Sequence, residues 1–509
     1  MTRQVVNLRA DGTATFDQAI ANQAADITSP AGCVSIAEWN SAHTSRNIAG
    51  IDLNLIGLGG TLAQELQVTR GGSERNPFRV RGFDAVMDVS GITAEPAACL
   101  HIFGDNLDGI DVDNLQDMTG NGGRAVVRVT DNSASGNSIR LGMLARLVAT
   151  ANNVNAFSGT QVRDGFSFNG GARAKCGVLV ANDCAAPTPN SNDSFNGLTT
   201  HEQCFVEVDR YIGARNHDHV ALVGGSELMI RDVQLGDAYR TGFLIGATGG
   251  SLSVSGGTLA ITSDGASLFQ VNDGAGPESI LDLRRIVMSL TQTATATNEA
   301  NFDCHVILNG CDITIDAPGV RWQGYNNGAL TMLDGILRLI AWNAGTFLEN
   351  NTQDGSTSID INMTGTRFMG GDGVAGGGRV FLAGTHAAGS LNLAGTIWDQ
   401  IRSNNPAIQA NSTSAHGVNF SRARVYDAQA TAVNAFYRDT RSGVPDADEI
   451  TDVTGAIFVD CPDALNVSDF KFIAGEELAE YLGSTPDESS NDIGVKVYRD
   501  ATTGILHFE

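Results

Sequence analysis

Apolar residues recur along this chain in a short motif: apolar, any, apolar, any, a turn residue, two of any kind, apolar. The motif begins at Ile51, Phe78, Leu100, Val127, Val178, Val206, Leu228, Leu252, Leu281, Val306, Leu330, Ile361, Leu391, Val418 and Thr451. The second apolar position runs from Leu53 and Val80 to Leu393, Phe420 and Val453. The third runs from Leu58 and Leu107 to Trp398, Val425 and Phe458, with Gly213 as the exception. Alternation at period two puts the first two positions on one face of a short strand. The turn position is most often Gly, Asp or Asn, which tolerate the left-handed backbone of a tight corner. The third apolar residue opens a second inward-facing strand.

The starts lie about 27 residues apart. The one wide gap, from Val127 to Val178, holds two units with one start unplaced. A single unit cannot bury its own inner face, so successive units must stack. Coils of this length with two or three short strands predict an all-β fold. The expected form is a right-handed parallel β-helix of about 16 coils, a rod of roughly 75 Å. A propeller blade needs about 40–45 residues, and a leucine-rich repeat spaces its leucines differently.

The ends break the pattern. Residues 1–50 read as a cap and lead-in, 51–470 as the β-helix, and 471–509 as a separate tail. Thr15 to Asp26 predicts a short amphipathic helix that covers the open first coil, where strand edges would otherwise face water. Gly475 to Leu482 predicts a short acidic helix and Ser484 to Asp492 a polar linker. Ile493 to Phe508 alternates on both sides of Ala501-Thr502-Thr503-Gly504 and predicts a β-hairpin.

Composition narrows the function. Of 509 residues, 42% are hydrophobic, so a large core is available, and 60 are Gly, which suits many turns better than long helices. Asp and Glu number 57 against 32 Lys and Arg, a net charge of −25. Such a chain repels nucleic acid and anionic membrane, which excludes a nucleic-acid-binding role. No apolar run approaches the roughly 20 residues of a membrane span, and none suits an export leader, so a soluble chain made in the cytosol is expected. The eight Cys form no CxxC pair, so zinc-ligand spacing is absent and free thiols are expected. Cys176, Cys204 and Cys304 each precede a start by two residues, which puts them inside, with Cys176 stacked on Cys204 as small buried hydrophobes.

The densest polar cluster is Glu207, Asp209, Arg210, Tyr211, Arg215, His217, Asp218 and His219. Glu207 and Asp209 should point outward from the strand whose inner face is Val206 and Val208. Paired carboxylates on such a face suit glycoside hydrolysis or lyase chemistry, one as acid and one as base or nucleophile. That makes Glu207, Asp209 and Asp218 the catalytic candidates. Solvated charge accounts for the same residues, since Asp209 should face Arg231 on the next coil and Glu207 should lie beside Met229. His217 and His219 share a strand face as a possible metal edge, but no third ligand is identifiable, so no metal is expected. Asp105, Asp108, Asp111, Asp113 and Asp117 invite calcium without matching its helix-loop-helix pattern, and read as a solvated turn. Trp322, Tyr325 and Trp342 fall in the returns of successive coils. Exposed there, they would suit sugar rings; they equally suit packing against the returns or a neighbouring chain. No phosphate-binding loop, dinucleotide fingerprint, GxSxG or HExxH occurs, and no cofactor is expected.

The opening Ala10-Asp11-Gly12-Thr13, then Phe16-Asp17-Gln18-Ala19-Ile20, Gln23-Ala24-Ala25, Pro30-Ala31-Gly32 and Ile56-Gly57-Leu58-Gly59-Gly60, resembles the lead-in of the pectate-lyase-like β-helix superfamily. That superfamily includes bacteriophage tailspikes and tail fibres as well as polysaccharide lyases and hydrolases. The departure is at Thr13-Ala14-Thr15, where the family carries a more acidic run. The closing Val497-Tyr498-Arg499-Asp500 is similar to terminal hairpins of phage tail proteins. The resemblance implies a structural virion component of a phage tail, a homotrimeric spike or fibre. Its implied partners are other tail or baseplate proteins and a host surface glycan. It also implies manufacture in the host cytoplasm and release by lysis. Its alternative is a tailspike depolymerase cutting capsule or lipopolysaccharide, with Glu207, Asp209 or Asp218 in play.

Overall fold

The computed structural model describes residues 3–21, 28–56, 64–83, 98–115 apart from 106, 125–131, 139–150, 164–184, 196–271 apart from 247, and 278–350 apart from 325–327. It further describes 360–370, 377–383, 388–426 apart from 404–405 and 411–414, and short strand segments elsewhere. The chain is all-β, a solenoid of parallel strands, and divides into two compact units, Met1–Leu259 and Ala260–Glu509.

In the first unit one parallel ladder joins Gln4–Leu8, Ile51–Ile56, Phe78–Phe83, Ile110–Asp113, Ile139–Leu141, Arg173–Asn182, Phe205–Ala214, Ser226–Leu235 and Gly250–Val254. Alternation places one inward residue from each strand in a single column: Val6, Leu53, Val80, Val112, Leu141, Cys176, Val208, Ile230 and Val254. All nine are at most 2% exposed. Each buried aliphatic side chain of this kind stabilises the fold by about 1.5–3 kcal/mol relative to exposure. A further ladder joins Leu66–Val68, Ala98–Gly104, Ala125–Asp131, Asp164–Asn169, Asn196–Thr200, Asn216–Leu222 and Ala238–Ile245.

Three expected starts are corrected here. Leu100 and Val127 pair with each other on the second of these ladders, and Val178 stands beside Arg210. The first ladder instead passes through Ile110, Ile139 and Ala174. That supplies the start left unplaced between Val127 and Val178. The slip arose because each coil has more than one short apolar strand, and period-two alternation looks alike in all of them. It also moves the thiols: Cys176 stands beside Val208, four residues on from Cys204, so the two Cys do not stack. All seven described Cys are buried thiols outside any disulfide. Burial pushes Cys204 and Cys311 up to about 11 and Cys304 to about 12, so these thiols stay protonated.

Two helices precede the stack. Helix α1 spans Phe16–Ala21, inside the expected Thr15–Asp26 segment, of which residues 22–26 lie outside the described residues. Helix α2 spans Ile36–Ala42 and was not expected. Its signal was present: Ser35 and Glu38 have capping-box spacing, and Ser35 Oγ accepts the Glu38 N–H at 3.1 Å. Glu38 Oε1 accepts from Phe16 N at 2.9 Å, so one carboxylate ties the two helices together. Trp39 lies 5.9 Å from Phe16 and stacks on Phe78 at 5.4 Å, while its indole N–H donates to Gln67 O.

In the second unit the expected starts pair directly and in order: Leu281, Val306, Leu330, Ile361, Leu391, Val418 and Thr451. The next ladder stacks Met288, Ile313, Leu337, Phe368, Trp398, Val425 and Phe458, the expected third apolar positions. Between them every turn residue adopts a left-handed backbone: Arg285, Gly310, Asp334, Gly365, Gly395, Arg422 and Gly455, with φ from 52° to 71°. That single reversal swings the chain so that start+5, not start+4, points inward, and Ile286, Cys311, Thr366, Thr396, Ala423 and Ala456 are buried there. Corners also bond to corners, Arg285 N to Asn309 O and Gly310 N to Leu333 O. Asn362, Asn392 and Asn419 stack in register, each Oδ1 accepting the N–H two residues on. A third ladder carries Ala300, Trp322, Leu348, Phe381, Ile408, Tyr437 and Leu465.

The expected C-terminal acidic helix at 475–482 and linker at 484–492 lie outside the described residues. Val497–Arg499 and Leu506–Phe508 pair antiparallel, Val497 opposite Phe508. Among the described residues, no helix is long and apolar enough to cross a membrane.

Candidate functional site

The outward carboxylates sit on the ten-residue strands Phe205–Ala214 and Ser226–Leu235. Their inner faces (Val206, Val208 and Tyr211; Leu228, Ile230 and Val233) are buried, which forces Glu207, Asp209 and Arg210 out toward solvent. Glu207 stands between Lys175 and Met229 in register, with Lys175 Nζ 3.8 Å from its carboxylate. Asp209 meets Arg231 at 3.1 Å, and Arg210 faces Asp232 at 3.3 Å while donating to Gln234 Oε1. Each carboxylate therefore has a cation on a neighbouring strand. As arranged, the row ties strand to strand. The same device recurs at Asp111, held by Arg140 at 2.6 Å and Arg79 at 3.4 Å, and at Asp399 with Arg367 at 2.9 Å.

Asp218 is elsewhere. Its side chain is fully buried and forms a two-point ion pair with the half-buried Arg240, whose Nε donates to Oδ1 at 2.9 Å. His217 and His219 are buried with it. His219 Nε2 lies 2.9 Å from the Gly236 carbonyl, which can only accept, so Nε2 carries the proton and Nδ1 accepts from Asn216 Nδ2 at 3.1 Å. Burial pushes His219 down to about 4, so it is neutral at pH 7. Asn216 also donates to Ala181 O and accepts from Cys184 N, each at 3.0 Å, and the Tyr211 hydroxyl donates to His219 O at 2.9 Å. Asp164 accepts from Asn196 N, and burial pushes it up to about 8, so it holds its proton at pH 7. The network thus links Ala181, Cys184, Tyr211, Asn216, His219 and Gly236 through groups that are neutral at pH 7. Among the described residues no group of three His, Cys, Asp or Glu could hold a metal ion. Sequence reasoning found Tyr211, Asp218 and the His pair. It missed Asn216, Asp164 and Arg240, whose roles depend on which strands become neighbours.

The aromatic candidates are corrected. Trp322 and Trp342 are buried, not exposed. Trp322 sits between Ala300 and Leu348 in register and packs between Phe269 at 5.0 Å and Phe347 at 4.8 Å. Trp342 lies against Gly377 and donates to Arg379 O. Trp322 lies on a return strand, Val320–Gly324, whose inner face takes its ring, and Trp342 is buried between the strands Ile336–Ala341 and Thr346–Asn350. Tyr325 lies outside the described residues. In the acidic stretch Asp113 Oδ1 accepts from Leu144 N and Ala145 N at 3.0 and 3.4 Å, and Asp117 lies outside the described residues.

One surface depression is formed where corners stack. Gly170-Gly171, Glu202-Gln203, Gly224-Gly225 and Thr248 all have left-handed backbones and line a shallow groove of about 590 Å³. Glu202 Oε2 accepts from Gly170 N and Thr248 Oγ1 from Gly224 N, so these side chains staple one corner to another. Comparison with known proteins finds no matching family model, no similar curated protein and no similar solved structure.

Proposed function

We propose that this chain is a structural, receptor-contacting component of a phage tail, a spike or fibre that assembles as a homotrimer and meets a glycan on the bacterial surface. In this reading the solenoid is a right-handed β-helix of about 16 coils, with α1 and α2 covering its first coil. Within each unit the stacked coils act as a stiff spacer, because each coil bonds to its neighbours. It is made in the host cytoplasm and carried in the virion. The resemblance of the opening segment to the pectate-lyase-like superfamily supports the phage assignment. The observation that carries the structural reading is the pairing of Glu207, Asp209 and Asp218, each with a Lys or Arg on a neighbouring strand.

The test uses the purified full chain and isolated capsule and lipopolysaccharide from the bacterium it adsorbs to. Adsorption to cells without release of reducing ends or unsaturated sugars is the expected result. Release of either product, abolished by Glu207→Gln or Asp209→Asn, would replace this reading with a depolymerase.

A further inference from the structure

The second ladder of residues 260–509 has an outward face as well as a core face. Along the register its first outward column reads Val287, Asp312, Ile336, Arg367, Ile397, Arg424, Ile457. Aliphatic residues occupy alternate strands. Val287 is 54% exposed and Ile457 41%, and Ile340, on the strand of Ile336, is 44% exposed. Met369 and Tyr426 add half-buried apolar surface on the same side. The preceding ladder of the same unit contrasts with it. There the outward positions include Asp282, Arg284, His305, Asn309, Thr331, Asn362, Ser390, Asn392 and Asn419, interrupted mainly by Ile280 and Ile307. Both ladders are built from short parallel strands, so strand propensity alone does not explain why one is aliphatic outside and the other polar.

Charge identifies what covers the aliphatic face. Its outward ionic residues are Asp312, Asp316 and Asp399 against Arg338, Arg367 and Arg424, a balance of zero on a chain of net charge −25. Two copies of so acidic a chain repel each other over most of their surface. Here they do not. The strip is also long, six strand spacings of about 4.8 Å or roughly 29 Å, and it alternates aliphatic with charged residues. Aliphatic residues at an interface centre with charges interleaved suit a partner that carries the same alternation.

We infer that this face, centred on Ile336, Arg367 and Ile397, is where copies of this chain pack against one another. The inference deepens the proposed assembly and rests on that reading only for the number of copies. Sedimentation equilibrium of the full chain tests it, with the double variant Ile336→Glu/Ile397→Glu beside it and Ile280→Glu as a control on the other ladder. The expected result is an oligomeric wild type, an oligomeric control and a monomeric double variant with unchanged circular dichroism and melting temperature. A wild type that is monomeric at every concentration, or a double variant that keeps the wild-type mass, would overturn it. A double variant that unfolds is replaced by the milder Arg424→Glu, which places a fourth acid where two copies must meet and should shift mass toward monomer; unchanged mass overturns the inference. Glycan adsorption is measured separately. A wild-type oligomer that adsorbs while the double variant keeps the same mass sinks this inference alone, and an oligomer that cuts polysaccharide sinks the proposed function alone.

Discussion

Two runs of strands in this molecule turn the same corner in different ways. In both, the inward positions are start, start+2, start+5 and start+7, as at Val206, Val208, Tyr211 and Gly213 and again at Leu281, Leu283, Ile286 and Met288. In residues 260–509 one left-handed residue per coil makes the phase shift, from Arg285 through Gly455. In Phe205–Ala214 and Ser226–Leu235 the strand runs straight through, and two consecutive residues, Asp209-Arg210 or Arg231-Asp232, face outward. Residue type does not separate the two solutions, since Arg and Asp occur at the turn position in both. The straight strands Arg173–Asn182, Phe205–Ala214 and Ser226–Leu235 lie side by side, and the outer two also pair with two shorter strands each, Ile139–Leu141 with Leu147–Thr150 and Gly250–Val254 with Gly257–Ile261. In the second unit left-handed corners bond to left-handed corners, so neighbours favour like conformations within each run.

Truncating the core should give the largest effect. Trp398 is buried, stacked on Phe368 at 4.0 Å and set edge-on to Phe381. Trp398→Ala should cost about 3–5 kcal/mol in urea unfolding. If the two units unfold separately, that loss should fall on one transition only. A loss shared equally by two transitions would argue against their independence.

The buried network of the first unit comes next. Asn216→Ala removes the acceptor of Cys184 N and the donor to Ala181 O and His219, and should destabilise by about 1–3 kcal/mol. Its pH dependence has two opposed parts. Asp164 has a raised folded pKa of about 8, so its contribution is complete below about pH 4 and is lost as pH rises through about 8. His219 has a lowered folded pKa of about 4, so its contribution is complete above about pH 6.5 and is lost as pH falls through about 4. The melting temperature of Asp164→Asn should therefore gain on the wild type steadily from pH 4 to pH 8. A constant difference would contradict the buried, protonated carboxyl.

Corner substitutions should have opposite signs at left-handed corners and in straight strands. Gly395 has φ +66° and nothing within 4 Å of an added Cβ, so Gly395→Ala should cost only the left-handed backbone energy, about 1–2 kcal/mol. Arg422→Gly relieves the same strain and should stabilise by up to about 1 kcal/mol. Arg210→Gly, at the same motif position in a straight strand, should instead destabilise by about 0.5–1 kcal/mol. Equal signs for the two Arg→Gly changes would dissolve the distinction. The smallest effect belongs to the exposed pair of Asp209 and Arg231, where Arg231→Ala should change stability by less than about 1 kcal/mol and fade in high salt.

The apolar column of the second unit was legible because its corner residues and spacing repeat without interruption from Leu281 to Thr451. In the first unit Leu100 and Val127 matched the motif while lying on another ladder, since alternation carries no mark of which side of the coil it lines. The coil-to-coil pair of Asp209 and Arg231 followed from spacing alone. The burial of Trp322 and Trp342 did not, because it depends on the return strand Val320–Gly324 having an inner face and on the strands that flank Trp342.

The most direct measurement is a distance. Spin labels at Val287 and Ile457, exposed positions of one ladder six strand spacings apart, should give one narrow separation near 29 Å when labelled chains are diluted in unlabelled ones. A broad distribution, or a separation beyond about 40 Å, would contradict the continuous stack of parallel strands.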